Sequence, residues 1–173
     1  MRVQNLPRKN TKKDDKVALR VHWELSKKHG MEHTDKWYEH VPPAMVDTET
    51  MTLKWDSTIY TNNKLKHNRP DITLINKETN EWTLIDIAVP FDQNILRTDD
   101  EKIERYQDLT FEIKRENNNA KMDVIPVVIR ALGSYPKNVK IWVEKLKIPN
   151  TLYSAQLSAI LGTAHVLRKV FTL

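Results

Sequence analysis

Residues 67–88, HNRPDITLINKETNEWTLIDIA, constrain this chain more than any other stretch. Two β-rich runs, 71–76 and 82–89, lie either side of the polar segment KETNE, which reads as a hairpin turn. Each run gives one of its few polar positions to an aspartate, Asp71 in the first and Asp86 in the second. Side chains alternate along a strand, so Trp82, Leu84, Asp86 and Ala88 share one face. A symmetric turn sets Ile75 opposite Trp82, so that opposed residue numbers sum to 157 and Asp71 meets Asp86. Directly opposed Cβ atoms lie about 5 Å apart, and like charges there are destabilising. A divalent cation is the simplest compensation, because carboxylates and carbonyls are the hard oxygen ligands that magnesium or manganese prefers. The alternative is structural. Pro-Asp is a common way into a strand, Asp86 would bond a neighbouring loop, and a slipped register would separate the acids.

The remaining pattern surrounds this hairpin with helices. Residues 1–13 read as a basic flexible arm. A helical pattern begins at Asp14, with Val17, Ala18, Val21 and Leu25 on one face, and stops at Gly30, a C-terminal cap. The segment DKWYEHVPP reads as a short aromatic helix or turn closed by Pro42 and Pro43. Residues 51–60 alternate as a strand does. In RTDDEKIERYQDLTFEIKRE, Thr98 and Glu101 form a capping-box pattern at the start of one helix, continued by Ile103, Tyr106, Leu109 and Ile113. DVIPVVIRAL reads as a buried strand, where Pro126 implies an edge position or a bulge. PKNVKIWVEKLKI and TLYSAQLSAILGTAHVLRKVF read as closing helices. The order predicts a mixed α/β domain around one small sheet, spanning residues 14–173.

Composition narrows the function classes. At 173 residues the chain fits one domain, and its 39% hydrophobic and 29% charged content is that of a globular protein. No apolar run approaches the roughly 20 residues of a membrane span, so no membrane partner is expected, and no secretory signal is legible at the start. The absence of cysteine removes disulfides and thiolate catalysis and is compatible with an intracellular location. The six histidines show no ligand spacing for zinc, and no glycine-rich phosphate loop is present. A net charge of +5 comes with clustered bases: Arg2, Arg8, Lys9, Lys12 and Lys13, then Lys64, Lys66, His67 and Arg69. Such clusters suit the phosphate backbone of a nucleic acid.

RPD, a gap of fourteen residues, then DIA resembles the PD-(D/E)xK nuclease core. More specifically, HNRPDITLINKETNEWTLIDIAVP followed by EKIERYQDL resembles the restriction-endonuclease-like domain of non-long-terminal-repeat retrotransposon polyproteins. The likeness extends through VHWELSKKHG, DKWYEHVP, KWDSTIYT, VIPVVIRALG and LGTAHVLRKV, from about residue 16 to the end. The bare nuclease motif is weakly specific, and the ordered set of blocks is strong. The resemblance implies a restriction-endonuclease-like core, a small mixed central sheet flanked by helices. It also implies an Mg²⁺- or Mn²⁺-dependent endonuclease that nicks chromosomal DNA in the nucleus, the released 3′ hydroxyl priming reverse transcription of element RNA. The reverse transcriptase would lie upstream, which makes the chain an excised domain or a stand-alone descendant.

That family's core usually ends in lysine two residues beyond the second acid, where this chain has Ala88. The retrotransposon branch resembles cases in which the lysine has moved to the following helix, here the block of Lys102, Arg105 and Tyr106. Lys102, Tyr106, Leu109 and Ile113 fall on one helical stripe, with Lys102 expected at its N-terminal end. Asp71 and Asp86 would then hold metal with the Ile87 carbonyl, Lys102 would stabilise charge at the scissile phosphate, and Tyr106 would position the lysine or the DNA. Arg105 is the competing cation, and Lys64, Lys66, Arg69 and Arg105 would hold the backbone. Glu24 and Asp56 are lesser acidic candidates. Loss of the usual lysine equally suits a DNA-binding module that has lost cleavage, and the same core would serve a structure-selective nuclease on branched DNA.

Overall fold

A computed structural model describes residues 12–90 and 95–171. The chain runs through helix α1 (Lys12–Lys28), a 3-10 turn (Trp37–Glu39) and strands β1 (Met45–Asp47), β2 (Met51–Trp55), β3 (Ile72–Asn76) and β4 (Glu81–Ala88). Helices α2 (Ile95–Arg105) and α3 (Gln107–Glu116), strand β5 (Lys121–Val128), and helices α4 (Lys137–Lys145) and α5 (Thr151–Phe171) complete it. The five strands form one sheet in the order β1-β2-β3-β4-β5. The first four make an antiparallel meander, and β5 returns parallel to β4 after α2 and α3. The result is a mixed α/β fold with a five-stranded mixed sheet flanked by helices.

Alternation along the strands divides the core in two. Leu53, Ile72, Leu74, Ile85, Ile87, Ile125 and Val127 face Val17, Val21 and Leu25 of α1, with Val139 and Val143 of α4 and Ala155 and Ala159 of α5. On the other face, Leu84 packs with Tyr106, Leu109 and Ile113 from the α2–α3 region, and with Ile59 and Ala120. Asp86 follows Leu84 on that second face.

The hairpin register is as expected, with Ile75 opposite Trp82 and Ile72 opposite Ile85. Gly30 has φ +65 and follows α1, the left-handed conformation of a C-terminal cap. Pro126 lies in β5 at the sheet edge, where its missing N–H costs nothing. Four expectations need correction. The first helix begins at Lys12, two residues earlier than the pattern suggested, and residues 1–11 of the basic arm lie outside the described residues. The strand expected over 51–60 stops at Trp55, because Asp56 takes φ +41 and turns the chain away. A short strand, β1, pairs with β2 and was not anticipated. The single helix expected after Arg97 is two, and since α2 starts at Ile95, Thr98 lies within the helix and not at its start.

The turn after α1 is pinned by histidines. His22 Nδ1 lies 2.9 Å from His40 Nε2, and both rings are buried, so one nitrogen donates and the other accepts. Burial, with His40 adding to it, lowers the His22 pKa to about 4. The unfolded chain binds this proton below pH about 6.5 while the folded chain resists until about 4, so stability is full above pH 7 and falls through that window. We expect His22 to remove roughly 2 kcal/mol between pH 7 and pH 5, and His22→Phe to flatten that slope. Urea midpoints at the two pH values check this; equal losses in wild type and variant would rule it out.

Candidate active site

The site is built where β3 begins and β4 ends. Continuing the register past Ile72 and Ile85 sets Asp71 across from Asp86. Asp71 is 5% exposed and Asp86 4%. The Asp71 carboxylate accepts a 2.6 Å hydrogen bond from the Ile87 N–H, standing in for a backbone carbonyl that β3, starting one residue later, does not provide. Its own carbonyl accepts from the Asp56 N–H at 2.8 Å. The Asp71 side chain is therefore fixed to the backbone of β4 itself.

Asp86 is met from the helices. Lys102 Nζ pairs with Asp86 Oδ2 and lies 3.3 Å from the Ile87 carbonyl oxygen. The Tyr106 hydroxyl is 3.1 Å from Asp86 Oδ1 and 3.3 Å from the Arg69 carbonyl; with one proton it donates to one of these at a time. Lys102 is 6% exposed and Tyr106 3%. The sequence-predicted set of Asp71, Asp86, Ile87, Lys102 and Tyr106 is thus gathered in one buried cluster.

The route by which Lys102 arrives differs from expectation. It sits in the last turn of α2, not at the N-terminal end of a longer helix. Tyr106 adopts φ −100, ψ 7 between the two helices, and this break lets both its hydroxyl and the preceding lysine reach Asp86. A cation near a helix C-terminus is favoured by the dipole, so the position suits lysine electrostatically as well as geometrically. Ala88, where the resembled core carries lysine, lies on the Asp86 face opposite Val128.

The other predicted residues surround the cluster rather than join it. Arg69 is committed to Asp56, with Nε 3.0 Å from Oδ1 and Nη2 2.7 Å from Oδ2, a bidentate clamp that closes the loop between β2 and β3. Lys64, Lys66 and Arg105 are exposed. Glu24 pairs with Arg20 at 3.0 Å along α1, away from the two aspartates. His67 was not singled out as a site residue. Desolvation and the charges of Arg105 and then Lys66 lower its pKa, while Asp86 opposes them. His67 is therefore within electrostatic range of both Asp86 and Arg105. Its place in the basic run before Arg69 was the available signal.

The donor set suits a hard divalent cation. Two carboxylates and one carbonyl are oxygen ligands, and among the described side chains these two acids meet one buried lysine. No group of three or more histidine, cysteine or acidic side chains is assembled among the described residues, so the Ile87 carbonyl and water would have to complete any coordination shell. No protein-family model matches this chain, and no curated protein matches it either.

Removing one partner of a buried ion pair costs about 3–5 kcal/mol. Asp86→Ala and Lys102→Ala should each lower the unfolding free energy on that scale in urea titrations. The double variant should cost at least about 1 kcal/mol less than the sum; strict additivity would mean the two charges do not depend on each other.

Proposed function

We propose that this chain is a metal-dependent endodeoxyribonuclease with a restriction-endonuclease-like core, hydrolysing a phosphodiester bond to nick DNA. One observation carries the reading: Asp71, Asp86, the Ile87 carbonyl, Lys102 and Tyr106 converge in one buried cluster. Asp71, Asp86 and the Ile87 carbonyl would hold Mg²⁺ or Mn²⁺. Bound there, the cation would supply Lewis acidity and make water nucleophilic at neutral pH.

The protein's own groups divide the remaining work. Asp71, tied to the Ile87 amide, keeps its carboxylate at a set position on β4. Tyr106 orients Asp86 through Oδ1. Lys102, reaching the same carboxylate, brings an ammonium to where charge develops on the scissile phosphate. Arg105 and Lys66, exposed beside His67, would grip the backbone on either side. Such a nick would serve target-primed reverse transcription, with an upstream polymerase and element RNA as partners in the nucleus.

A second reading is a DNA-binding module that no longer cleaves. The Lys102 ammonium favours it, because that group already engages Asp86 and the Ile87 carbonyl, two of the three oxygen donors.

Nicking of supercoiled plasmid with Mg²⁺ or Mn²⁺ separates these readings. Wild type is expected to nick, while Asp71→Ala, Asp86→Ala and Lys102→Ala fall by roughly 100-fold or more. DNA binding without nicking at any metal concentration would leave the binding module. Mn²⁺ binding followed by electron paramagnetic resonance gives a readout free of catalysis: Lys102→Met should bind the ion about tenfold more tightly, since the ammonium competes for the same oxygens. Arg105→Ala losing all nicking while Lys102→Ala keeps it would transfer the role to the arginine.

A further inference from the structure

Helix α5 carries two opposite faces. Thr151, Ala155, Ser158, Ala159, Gly162 and Thr163 are buried, a row of small residues that lets α5 lie close against its neighbours. On the other side, Tyr153, Leu157, Ile160, Ala164, Leu167 and Phe171 recur at steps of four and three, the heptad spacing of a coiled-coil seam. Five of these six are large apolar side chains left exposed, from Ile160 and Leu167 at 43% to Tyr153 at 76% and Phe171 at 81%. The seam is held in place: Gln156 donates to the Gly133 carbonyl at 2.8 Å. Gly133 has φ +82, and a Cβ there would come within 2.7 Å of Ile160.

We propose that α5 pairs with α5 of a second copy of this chain in an antiparallel, two-fold arrangement. The seam is complementary to itself. With opposed residue numbers summing to 324, Tyr153 faces Phe171, Leu157 faces Leu167, and Ile160 meets the small Ala164 near the axis. Charge selects the orientation. The helix contains no acid, and Arg168 and Lys169 stand together in its last turn. Parallel pairing would press these cations together, whereas antiparallel pairing sends them to opposite ends and sets the helix dipoles against each other favourably. The area is sufficient. An aromatic side chain carries about 150–250 Å², and the exposed parts of the seam with Leu161 come to roughly 600 Å² per copy, or about 1,200 Å² in the pair, where specific interfaces begin. The pairing depends in no way on the nuclease reading.

Sedimentation of the full chain at about 50 µM, ample for an interface of this size, should give a dimer. Leu157→Glu with Leu167→Glu should weaken association by roughly 100-fold or more. Both sites are half-exposed, so far-UV circular dichroism should stay at wild-type values, as should the urea midpoint at dilutions where the wild type is monomeric. The chain has no cysteine, which permits a direct test of register. A mixture of Leu157→Cys chains and Leu167→Cys chains should oxidise to the mixed disulfide. Leu157→Cys alone should not cross-link, its two copies lying about 15 Å apart along the axis. A wild-type monomer at this concentration overturns the proposal and leaves the seam to a different protein. Efficient Leu157→Cys self-linking, or a dimer unaffected by the double glutamate variant, overturns it equally.

Discussion

A carboxylate buried near the end of a central strand has to be met by donors, and Asp86 is met by Lys102 from α2 and by Tyr106 from the break before α3. These two contacts organise the second face of the sheet. Leu109 and Ile113 hold α3 against Leu84 through apolar packing, but packing of that kind tolerates sliding and repacking. The hydrogen bonds to Asp86 do not, because a misplaced helix would leave a charge buried without a partner, at a cost of several kcal/mol. The polar cluster therefore sets the position of α2, and the hydrophobic contacts supply most of the energy that keeps α3 there.

Legibility in the sequence followed the strength of local constraint. The β3–β4 register could be read because a five-residue polar turn stands between two alternating runs, and a slip by one would have turned Asp86 and Leu84 onto the face occupied by Ile85 and Ile87. The helical stripe through Lys102, Tyr106, Leu109 and Ile113 correctly paired the lysine with the acids. Its steps of four, three and four read the same through a break, so nothing in the spacing announced two helices. Asp56 does not mark φ +41 by itself, and the Arg69 clamp and the Asp56 N–H bond to the Asp71 carbonyl, both across the loop, hold the turn where the strand ends. Strand β1, three residues long with an exposed edge, is too short for alternation to register. The Arg69–Asp56 pair was not legible either, because one sequence does not show which acid a given arginine meets across a thirteen-residue loop.

On the proposed nuclease reading, the charges described at the cluster and around His67 bear on how a polyanion would be handled. Inside, two aspartates meet one lysine among the described side chains. Outside, Lys66 and Arg105 stand beside His67, close enough that their charges disfavour its protonation. A phosphate chain drawn to the rim by these cations would face repulsion on going deeper unless positive charge were added within. Lys102 meets part of that requirement, and a divalent cation would meet the remainder. On the proposed nuclease reading, the phosphate and the metal would enter together.

The two faces of the sheet would also separate the proposed assembly from the proposed chemistry. α5 belongs to the layer with α1 and α4, packed on Ile72, Ile85 and Ile87, while Asp86, Lys102 and Tyr106 occupy the opposite face. Pairing through the outer seam of α5 would join two copies by the sides remote from their clusters. Each cluster would then face away from the two-fold axis and approach its own phosphodiester bond, since no residue of one copy would complete the site of the other. On the proposed nuclease reading, cutting by such a dimer would be a sum of independent single-strand events, and any coordination between them would have to come through the spacing of the two sites along the DNA.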